Sequence, residues 1–207
     1  MTYLTPIILA AGASTRMGRP KALLDFDGRT ALELALDAVA GHGMPVVVLG
    51  PNHEEIEAAV GLQGRSVRGA LNLDVHSGQT TSLIRGLSSL PEHADAFFFM
   101  PVDFPLVSAV EVARLVAAYR ANQDTSKSVF IPSPGMKRGH PVLCRRDLAT
   151  EFQALPAGTP AREVLNRDPS RIAYVEYSEA YVLMDMDTPE DYVRCLGAYR
   201  ARNARNG

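Results

Sequence analysis

Short apolar segments alternate with amphipathic segments through the first 121 residues of the chain. The apolar segments predict strands at residues 6–9, 45–49, 67–71 and 96–100, and the amphipathic ones predict helices at residues 31–40, 54–60, 81–90 and 110–121. The runs at 46–49 and 97–100 are continuously apolar, as is typical of strands that are covered on both faces. We therefore expect β-α-β units in a three-layer α/β fold with a mainly parallel central sheet.

The pattern changes after residue 122, where turn-forming residues become frequent. Strands are expected at residues 128–131 and 141–144, joined like a hairpin across the turn-rich segment 132–139. Helices are expected at 147–155 and 160–165, a strand at 172–177, and a last helix after Thr188. That helix has a favourable start, with Thr188 as N-cap, Pro189 in the first turn and the carboxylate of Asp191 three residues after the cap.

Composition and charge narrow the class of protein. With 207 residues, 46% of them hydrophobic and 21% charged, the chain fits one globular domain spanning residues 1–207. A net charge of -2 argues against nucleic acid as a partner. The two cysteines are far apart, and the apolar segment 6–11 is too short for a signal sequence or a membrane span, so we expect a cytoplasmic protein without a membrane partner.

The segment 9–21, LAAGASTRMGRPK, follows the first predicted strand directly. Small residues there let backbone N–H groups approach phosphate oxygens, while Arg16 and Lys21 can neutralise a polyphosphate. Two common phosphate-binding motifs are excluded by spacing. Five residues separate Gly12 from Gly18, where the P-loop requires four, and the dinucleotide pattern G-x-G-x-x-G is absent. The segment therefore predicts a different kind of phosphate-binding loop.

Asp103 follows a very apolar predicted strand and lies between Pro101 and Pro105, which restrict the backbone around it. A carboxylate at the carboxyl end of a strand suits Mg²⁺, which takes a few protein oxygens together with phosphates and water. The alternative is an aspartate that caps the helix expected to follow it. Asp185 and Asp187 are two residues apart and point the same way in an extended segment.

The ordered motifs resemble those of the molybdenum-cofactor nucleotidyltransferase family, which belongs to the Rossmann-like nucleotidyltransferases of the nucleotide-diphospho-sugar transferase type. The similarity begins with the segment 9–21, which matches L-A-A-G-x-S-x-R-M-G-x-P-K, and continues through the landmarks Asn72, Ser77-Gly78, Ser82-Leu83, Gly86-Leu87, Pro101-Val-Asp103-Phe-Pro105, Arg138-Gly-His-Pro-Val142 and Asp185-Met-Asp187-Thr-Pro-Glu-Asp191. They span nearly the whole chain.

The resemblance implies an enzyme that transfers a nucleoside monophosphate from an NTP to an acceptor phosphate and releases pyrophosphate. It implies Arg16, Lys21 and Asp103 as catalytic residues, Asp103 and Asp187 as ligands of Mg²⁺, and Arg138, Gly139 and His140 as acceptor-binding residues. Nucleotide binding is implied for Leu9, Ala10, Ala11, Gly12, Ala13, Ser14, Arg16, Met17, Gly18, Lys21, Asn72, Ser77, Gly78 and Ser82. For Asp185, a role as ligand and a structural role both stay open.

The identity of the substrates follows from finer features of the resemblance. In the family, a second glycine at the position of residue 11 goes with a guanine nucleotide and an alanine with a cytosine nucleotide, so Ala11 implies CTP. The family also implies molybdopterin as acceptor and a molybdoenzyme as possible partner. The chain departs from the family pattern at Gln79-Thr80-Thr81 and at residues 156–162, both of which lie where an acceptor could bind. The alternatives are transfer to a sugar or polyol phosphate and a non-catalytic nucleotide sensor or molybdenum-cofactor chaperone. A nicotinamide-dependent oxidoreductase is the weakest alternative, because the G-x-G-x-x-G pattern of dinucleotide-binding proteins is missing from the sequence.

Overall fold

The computed structural model describes residues 2–12, 17–74 and 77–206. Seven strands form one sheet in this part of the chain: β1 Leu4–Ala10, β2 Val46–Leu49, β3 Arg68–Leu71, β4 Ala96–Pro101, β5 Val129–Ser133, β6 Val142–Arg145 and β7 Ile172–Glu176. The helices are α1 Ala31–Ala38, α2 His53–Val60, α3 Gln79–Leu87, α4 Ala109–Ala121, α5 Ala149–Gln153, α6 Arg162–Arg167 and α7 Pro189–Asn206. Short 3₁₀ turns connect several of them.

The strand order in the sheet is β3-β2-β1-β4-β6-β5-β7. Strands β1 to β4 are parallel, and β6 runs antiparallel to both β4 and β5, so β6 alone opposes the common direction among the seven described strands. The prediction of a mainly parallel sheet is thereby confirmed. The expected hairpin is also present, since Val129 pairs with Cys144 in β5 and β6.

Both faces of the sheet are covered, which explains the continuous apolar runs of its central strands. In β4, Phe98 and Met100 belong to the cluster beneath α1 and α4, whereas Phe97 and Phe99 belong to the cluster beneath α3 and α5. Successive side chains of a strand point to opposite faces, so a strand that is buried on both faces must be apolar at every position. The helices on the two faces and the sheet between them make the three layers of the expected α/β fold.

Most predicted elements lie within two or three residues of the observed ones, and the differences have local causes. α3 begins earlier than expected, at Gln79, directly after Gly78 with its positive φ of 93°. The segment 147–155 divides into a 3₁₀ turn, Arg146–Leu148, and the short helix α5. The cap of α7 is as predicted: Thr188 Oγ1 accepts from Asp191 N, and the carboxylate of Asp191 accepts from Thr188 N.

The reversed direction of β6 brings distant segments to one edge of the sheet. Strands β1, β2 and β4 end at this edge, and Val142, the first residue of β6, pairs with Phe99 near the end of β4. The residues before Val142 therefore lie next to those that follow Pro101. In the part of the chain that the structure describes, no helix is both long and apolar enough to cross a lipid bilayer.

Candidate active site

Lys21 lies between two carboxylates that are far from it in the sequence. Its Nζ donates to Asp103 Oδ2 at 3.0 Å and to Asp187 Oδ1 at 2.5 Å. The side chains of Lys21 and Asp103 are each 17% exposed, whereas that of Asp187 is 50% exposed. One amino group thus joins three residues that the sequence analysis placed in the same site, and both carboxylates face a single point.

The backbone fixes the two carboxylates relative to each other. Asp103 follows β4, and its carbonyl oxygen accepts from Met186 N at 3.0 Å. Met186 is completely buried, so the segment that carries Asp187 is anchored against the end of the strand. Immediately after it, Thr188 begins the capped helix α7. A buried residue and a helix cap on either side therefore hold Asp187 beside Asp103.

Burial raises the pKa of Asp103, against the opposing effect of the Lys21 ammonium. Burial also lowers the pKa of Lys21, but the charge of Asp103 and the hydrogen bonds to both carboxylates outweigh it, so the net shift of this pKa is upward. Asp103 Oδ1 is buried and has no hydrogen-bond partner among the described residues. A buried carboxylate oxygen without a partner is suited to accept a cation or a ligand donor.

The donor set fits a magnesium ion better than a metal that needs a complete protein cage. Within residues 2–12, 17–74 and 77–206, no group of three or more His, Cys, Asp or Glu side chains is close enough to hold a metal. Mg²⁺ is commonly held by one or two carboxylates plus water and substrate phosphates, at about 2.1 Å from each oxygen. Asp103 and Asp187 supply that number of carboxylates.

A polar cavity of about 360 Å³ contains this cluster. Its described lining comes from the end of β1, the segment after it, the start of α3, the end of β4 and the residues just before α7: Leu9, Ala10, Gly12, Met17, Lys21, Ala22, Gly78, Gln79, Ser82, Pro101, Val102, Asp103 and Asp187. Seven of the residues predicted to bind nucleotide are in this lining. Ala13, Ser14 and Arg16 lie outside the described residues.

A second cavity of about 470 Å³ adjoins the first, with Leu9, Gly78 and Gln79 in both linings. Its walls are mostly apolar and include Phe99 and Ile131, whereas Arg138 and Arg162 supply positive charge. The predicted acceptor residues Arg138, Gly139 and His140 all line it, and so does Ser77. The predicted acceptor residues thus line only the second cavity, whereas the predicted nucleotide-binding residues are divided: most of those described line the first, Leu9 and Gly78 line both, and Ser77 lines the second.

His140 packs among aromatic rings in the second cavity. Its ring centroid is 4.5 Å from that of Phe104 and 6.2 Å from that of Phe99. Burial lowers the pKa of His140 to about 4, against a hydrogen bond with the Phe99 backbone that acts in the opposite direction. Its Nδ1 is buried and unpartnered in the described part of the chain. The imidazole is therefore neutral at physiological pH and offers one polar atom to a ligand.

Close packing fixes the backbone before His140. A Cβ on Gly139 would lie 2.7 Å from the carbonyl oxygen of Val182, which is nearer than such atoms approach. The same carbonyl accepts from His140 N at 2.9 Å, and Gly139 N donates to Pro132 O at 2.8 Å. Glycine at position 139 therefore allows this segment to lie directly against residue 182.

Arg138 is held by neutral partners. Its Nε donates to the hydroxyl of Tyr174 at 3.2 Å, and its Nη1 donates to Asn166 Oδ1 at 2.7 Å. No carboxylate of the described residues forms an ion pair with it, in contrast to the neighbouring Arg162, whose Nε is 3.9 Å from Glu163 Oε1. The guanidinium of Arg138 thus brings a positive charge to the second cavity.

Two of the residues predicted to bind nucleotide are buried among other protein residues. Asn72 is 5% exposed, and its Nδ2 donates to Thr81 Oγ1 and Ser82 Oγ at 3.0 Å each, which ties the end of β3 to the start of α3. It lines neither of the two cavities. Ala11 is 3% exposed and packs in the cluster beneath α3 and α5, so its methyl group does not line the polar cavity either.

Comparison with known proteins decides the family. The model of the MobA-like NTP transferase domain matches residues 6–172, which is more than half of the chain. The chain belongs to this family. The resemblance drawn from the motifs is thereby confirmed, and with it the general class of nucleotidyltransferases.

Curated relatives of the family differ in the activities that their names state. The chain is 32% identical over 198 residues to nicotine blue oxidoreductase of Paenarthrobacter nicotinovorans, covering 93% of the chain and 96% of the relative. It is 24% identical to the molybdenum cofactor cytidylyltransferase of Escherichia coli, with 96% and 98% covered. It is 28% identical to a probable molybdenum cofactor guanylyltransferase of Mycobacterium avium, with 96% and 97% covered.

Solved structures agree with the architecture. A nucleotidyl transferase from Methanothermobacter thermautotroptrophicus has a TM-score of 0.80 at 25% identity, covering 98% of this chain and 100% of that one. Rv0371C of Mycobacterium tuberculosis, solved as a complex with manganese, has a TM-score of 0.79 at 25% identity, covering 95% and 98%. The Rossmann-like nucleotidyltransferase fold is therefore confirmed, and at least one similar protein binds a divalent metal.

Two features of the site have no signal in the sequence. The motifs predict that Lys21 binds phosphates and that the aspartates bind the metal, and they do not predict the contact of Lys21 with both carboxylates. The other feature is the apolar wall of the second cavity, to which Leu83, Phe99, Val142 and Leu165 contribute. These residues come from four separate elements and read as ordinary core positions, so no local sequence signal distinguishes them.

Proposed function

We propose that residues 1–207 form one nucleotidyltransferase domain that uses Mg²⁺ to transfer CMP from CTP to the phosphate of molybdopterin, releasing pyrophosphate. The observation that carries this proposal is the convergence of Lys21, Asp103 and Asp187 in a polar cavity that adjoins the cavity with Arg138 and His140. This acceptor further implies a cytoplasmic enzyme and a molybdoenzyme as possible partner.

The reaction needs no protein nucleophile. An oxygen of the acceptor phosphate attacks the α-phosphorus in line, from about 3–3.5 Å, and pyrophosphate leaves. Asp103 and Asp187 would hold Mg²⁺, which supplies neutralising charge to the phosphates. Lys21 and Arg16 bind phosphate oxygens and stabilise the charge that develops on them. Catalysis then consists of positioning and charge neutralisation.

The second cavity suits an acceptor that has a flat ring system and a negative charge. Phe99 and the neutral ring of His140 provide apolar surfaces, while the buried Nδ1 of His140 provides one hydrogen-bonding atom. Arg138 supplies a positive charge that no described carboxylate neutralises. A sugar or polyol phosphate would leave its hydroxyl groups against apolar walls, which costs free energy. A pterin also carries polar atoms, but its flat ring covers more of the apolar walls, which supports the pterin acceptor over this alternative.

The preference for CTP over GTP rests on Ala11 through the family resemblance. Because the Ala11 methyl group is buried away from the polar cavity, we place its effect in the backbone path of the loop. Alanine restricts φ and ψ more than glycine does, and so limits how far the loop can move to admit a larger base. Turnover with GTP that equals or exceeds turnover with CTP under identical conditions would refute this preference.

The direct test follows pyrophosphate release from purified protein with Mg²⁺ and each NTP. Molybdenum cofactor is one acceptor, and a panel of sugar and polyol phosphates forms the others. Release with CTP and molybdenum cofactor, abolished in Lys21→Ala, is the expected result. Release with a non-pterin phosphate alone would select the sugar or polyol alternative. Nucleotide binding without release for any acceptor would select the sensor or chaperone.

The relative named nicotine blue oxidoreductase supports a second candidate, reduction of a conjugated compound. A blue compound has an extended conjugated system, and the apolar walls around Phe99 and His140 suit a flat molecule of that kind. The test is to mix the protein with nicotine blue and NADH or NADPH without oxygen and to follow the colour. Loss of colour that requires the protein would favour this candidate, and persistent colour would exclude it for this substrate.

A further inference from the structure

The contact of Lys21 with both proposed metal ligands has a consequence for the order of binding. Lys21 Nζ is 3.0 Å from Asp103 Oδ2 and 2.5 Å from Asp187 Oδ1. A magnesium ion bound to the same two oxygens would lie about 2.1 Å from each. An ammonium and a metal ion cannot share that point, because of both their size and their like charge. Metal binding to these two oxygens, rather than to the unpartnered Asp103 Oδ1, therefore requires Lys21 to move.

The burial of Lys21 determines where it can move. Its side chain is only 17% exposed, and a buried ammonium is costly unless an anion compensates it. The two carboxylates supply that compensation and raise its pKa. A nucleotide in the polar cavity offers a replacement, because its phosphates are anions within a cavity that Lys21 itself lines. Lys21 can then leave the carboxylates without losing a negatively charged partner.

We infer that Lys21 is an internal counter-ion that competes with the divalent metal for Asp103 and Asp187, so that the metal binds strongly only together with the nucleotide. This inference rests on the proposed nucleotide and metal sites. Binding of metal and nucleotide is then mutually favourable, and linkage requires each to tighten the other by the same factor. The device keeps a divalent cation from occupying the carboxylates before the nucleotide arrives.

The test measures Mn²⁺ binding by the electron paramagnetic resonance signal of free Mn²⁺, at low ionic strength and without nucleotide. Lys21→Met removes the competing positive charge, and we expect it to tighten Mn²⁺ binding about ten-fold or more. The reason is that a unit positive charge at contact distance repels a divalent cation appreciably even at the dielectric constant of water. Arg19→Met is the matched control. It removes a positive charge two residues away, and the Arg19 guanidinium donates to Leu23 O rather than to these carboxylates.

The control should change the affinity by less than about two-fold. Asp187→Asn in the Lys21→Met background should abolish the gain, which locates the Mn²⁺ at these carboxylates. With a saturating α,β-methylene analogue of CTP, wild-type affinity should rise by a larger factor than that of Lys21→Met. Lys21→Gln serves as a second variant, and circular dichroism checks that each protein is folded.

Equal Mn²⁺ affinity in wild type and Lys21→Met, or an equal gain from Arg19→Met, would overturn the inference. The outcome is independent of the transfer assay. A gain in Mn²⁺ affinity with no pyrophosphate release for any acceptor would leave the inference standing while the proposed function fails. Pyrophosphate release without any gain in Mn²⁺ affinity in Lys21→Met would support the proposed function and overturn the inference.

Discussion

The ring of His140 lies 4.5 Å from the ring of Phe104, with an angle of 53° between their planes, and its burial lowers its pKa to about 4. The unfolded chain has a histidine pKa of about 6.5, so between these values the unfolded state binds more protons and stability falls as pH decreases. We expect His140 to remove about 2 kcal/mol of stability between pH 7.5 and pH 5.

The measurement is urea unfolding of wild type and His140→Asn across this pH range. The variant should show a smaller loss towards pH 5. His42, whose pKa burial also lowers, contributes with the same sign but is present in both proteins, so the difference between them isolates His140. Parallel pH profiles would mean that the imidazole is as solvated in the folded state as in the unfolded chain.

Asp103→Asn should reduce turnover by about a hundred-fold or more, because Mg²⁺ loses a charged ligand and with it several kcal/mol of charge stabilisation. The fold should persist, since Lys21 keeps its contact with Asp187. Asp185→Asn is the control, expected to stay within about three-fold. Pyrophosphate release measures the turnover of both variants. An equal loss of turnover in the two would indicate that Asp185 also binds the metal.

Gly139→Ala should lower stability by about 1–3 kcal/mol, because the added Cβ would meet the carbonyl oxygen of Val182 at 2.7 Å. The shift of this segment should also raise the KM for the acceptor more than that for CTP. Gly197→Ala in α7 is the control: apart from its chain neighbours and the backbone of its own helix, no described atom lies within 4 Å of the added Cβ, and helix propensity predicts a gain of up to about 1 kcal/mol. A tolerated Gly139→Ala would show that residues 182 and 139 can separate freely.

Arg202→Met should lower stability by about 2–3 kcal/mol without changing nucleotide binding. The Arg202 guanidinium donates to Leu106 O, Ser108 Oγ and both oxygens of Glu111, which is 7% exposed. Removing Arg202 takes the ion pair from this buried carboxylate and leaves it the hydrogen bonds from Ser108 N and Oγ. Arg200→Met is the matched control from the same helix, because Arg200 pairs with exposed Asp27 at the surface. Urea midpoints compare the two, and similar losses would count against the buried pair as the cause.

The elements of the fold could be predicted from the sequence because their signals are local. The continuous apolar run of β4 follows from burial on two faces, and the cap of α7 needs only Thr188 and Asp191, three residues apart. The loop after β1 was recognisable for the same reason, since its small and cationic residues are adjacent in the chain. The family assignment depended on such short motifs in a fixed order, and comparison confirmed it.

The tertiary structure determines which residues of different motifs contact one another. Lys21 lies 82 residues from Asp103 and 166 from Asp187, and their contact depends on the strand order and on the buried Met186 that anchors the last segment. The second cavity likewise exists because antiparallel β6 brings residues 138–140 beside the end of β4. Local patterns specify where a strand or helix forms. The burial of both sheet faces fixes which strand ends lie side by side, and no single segment of the sequence carries a signal for that choice.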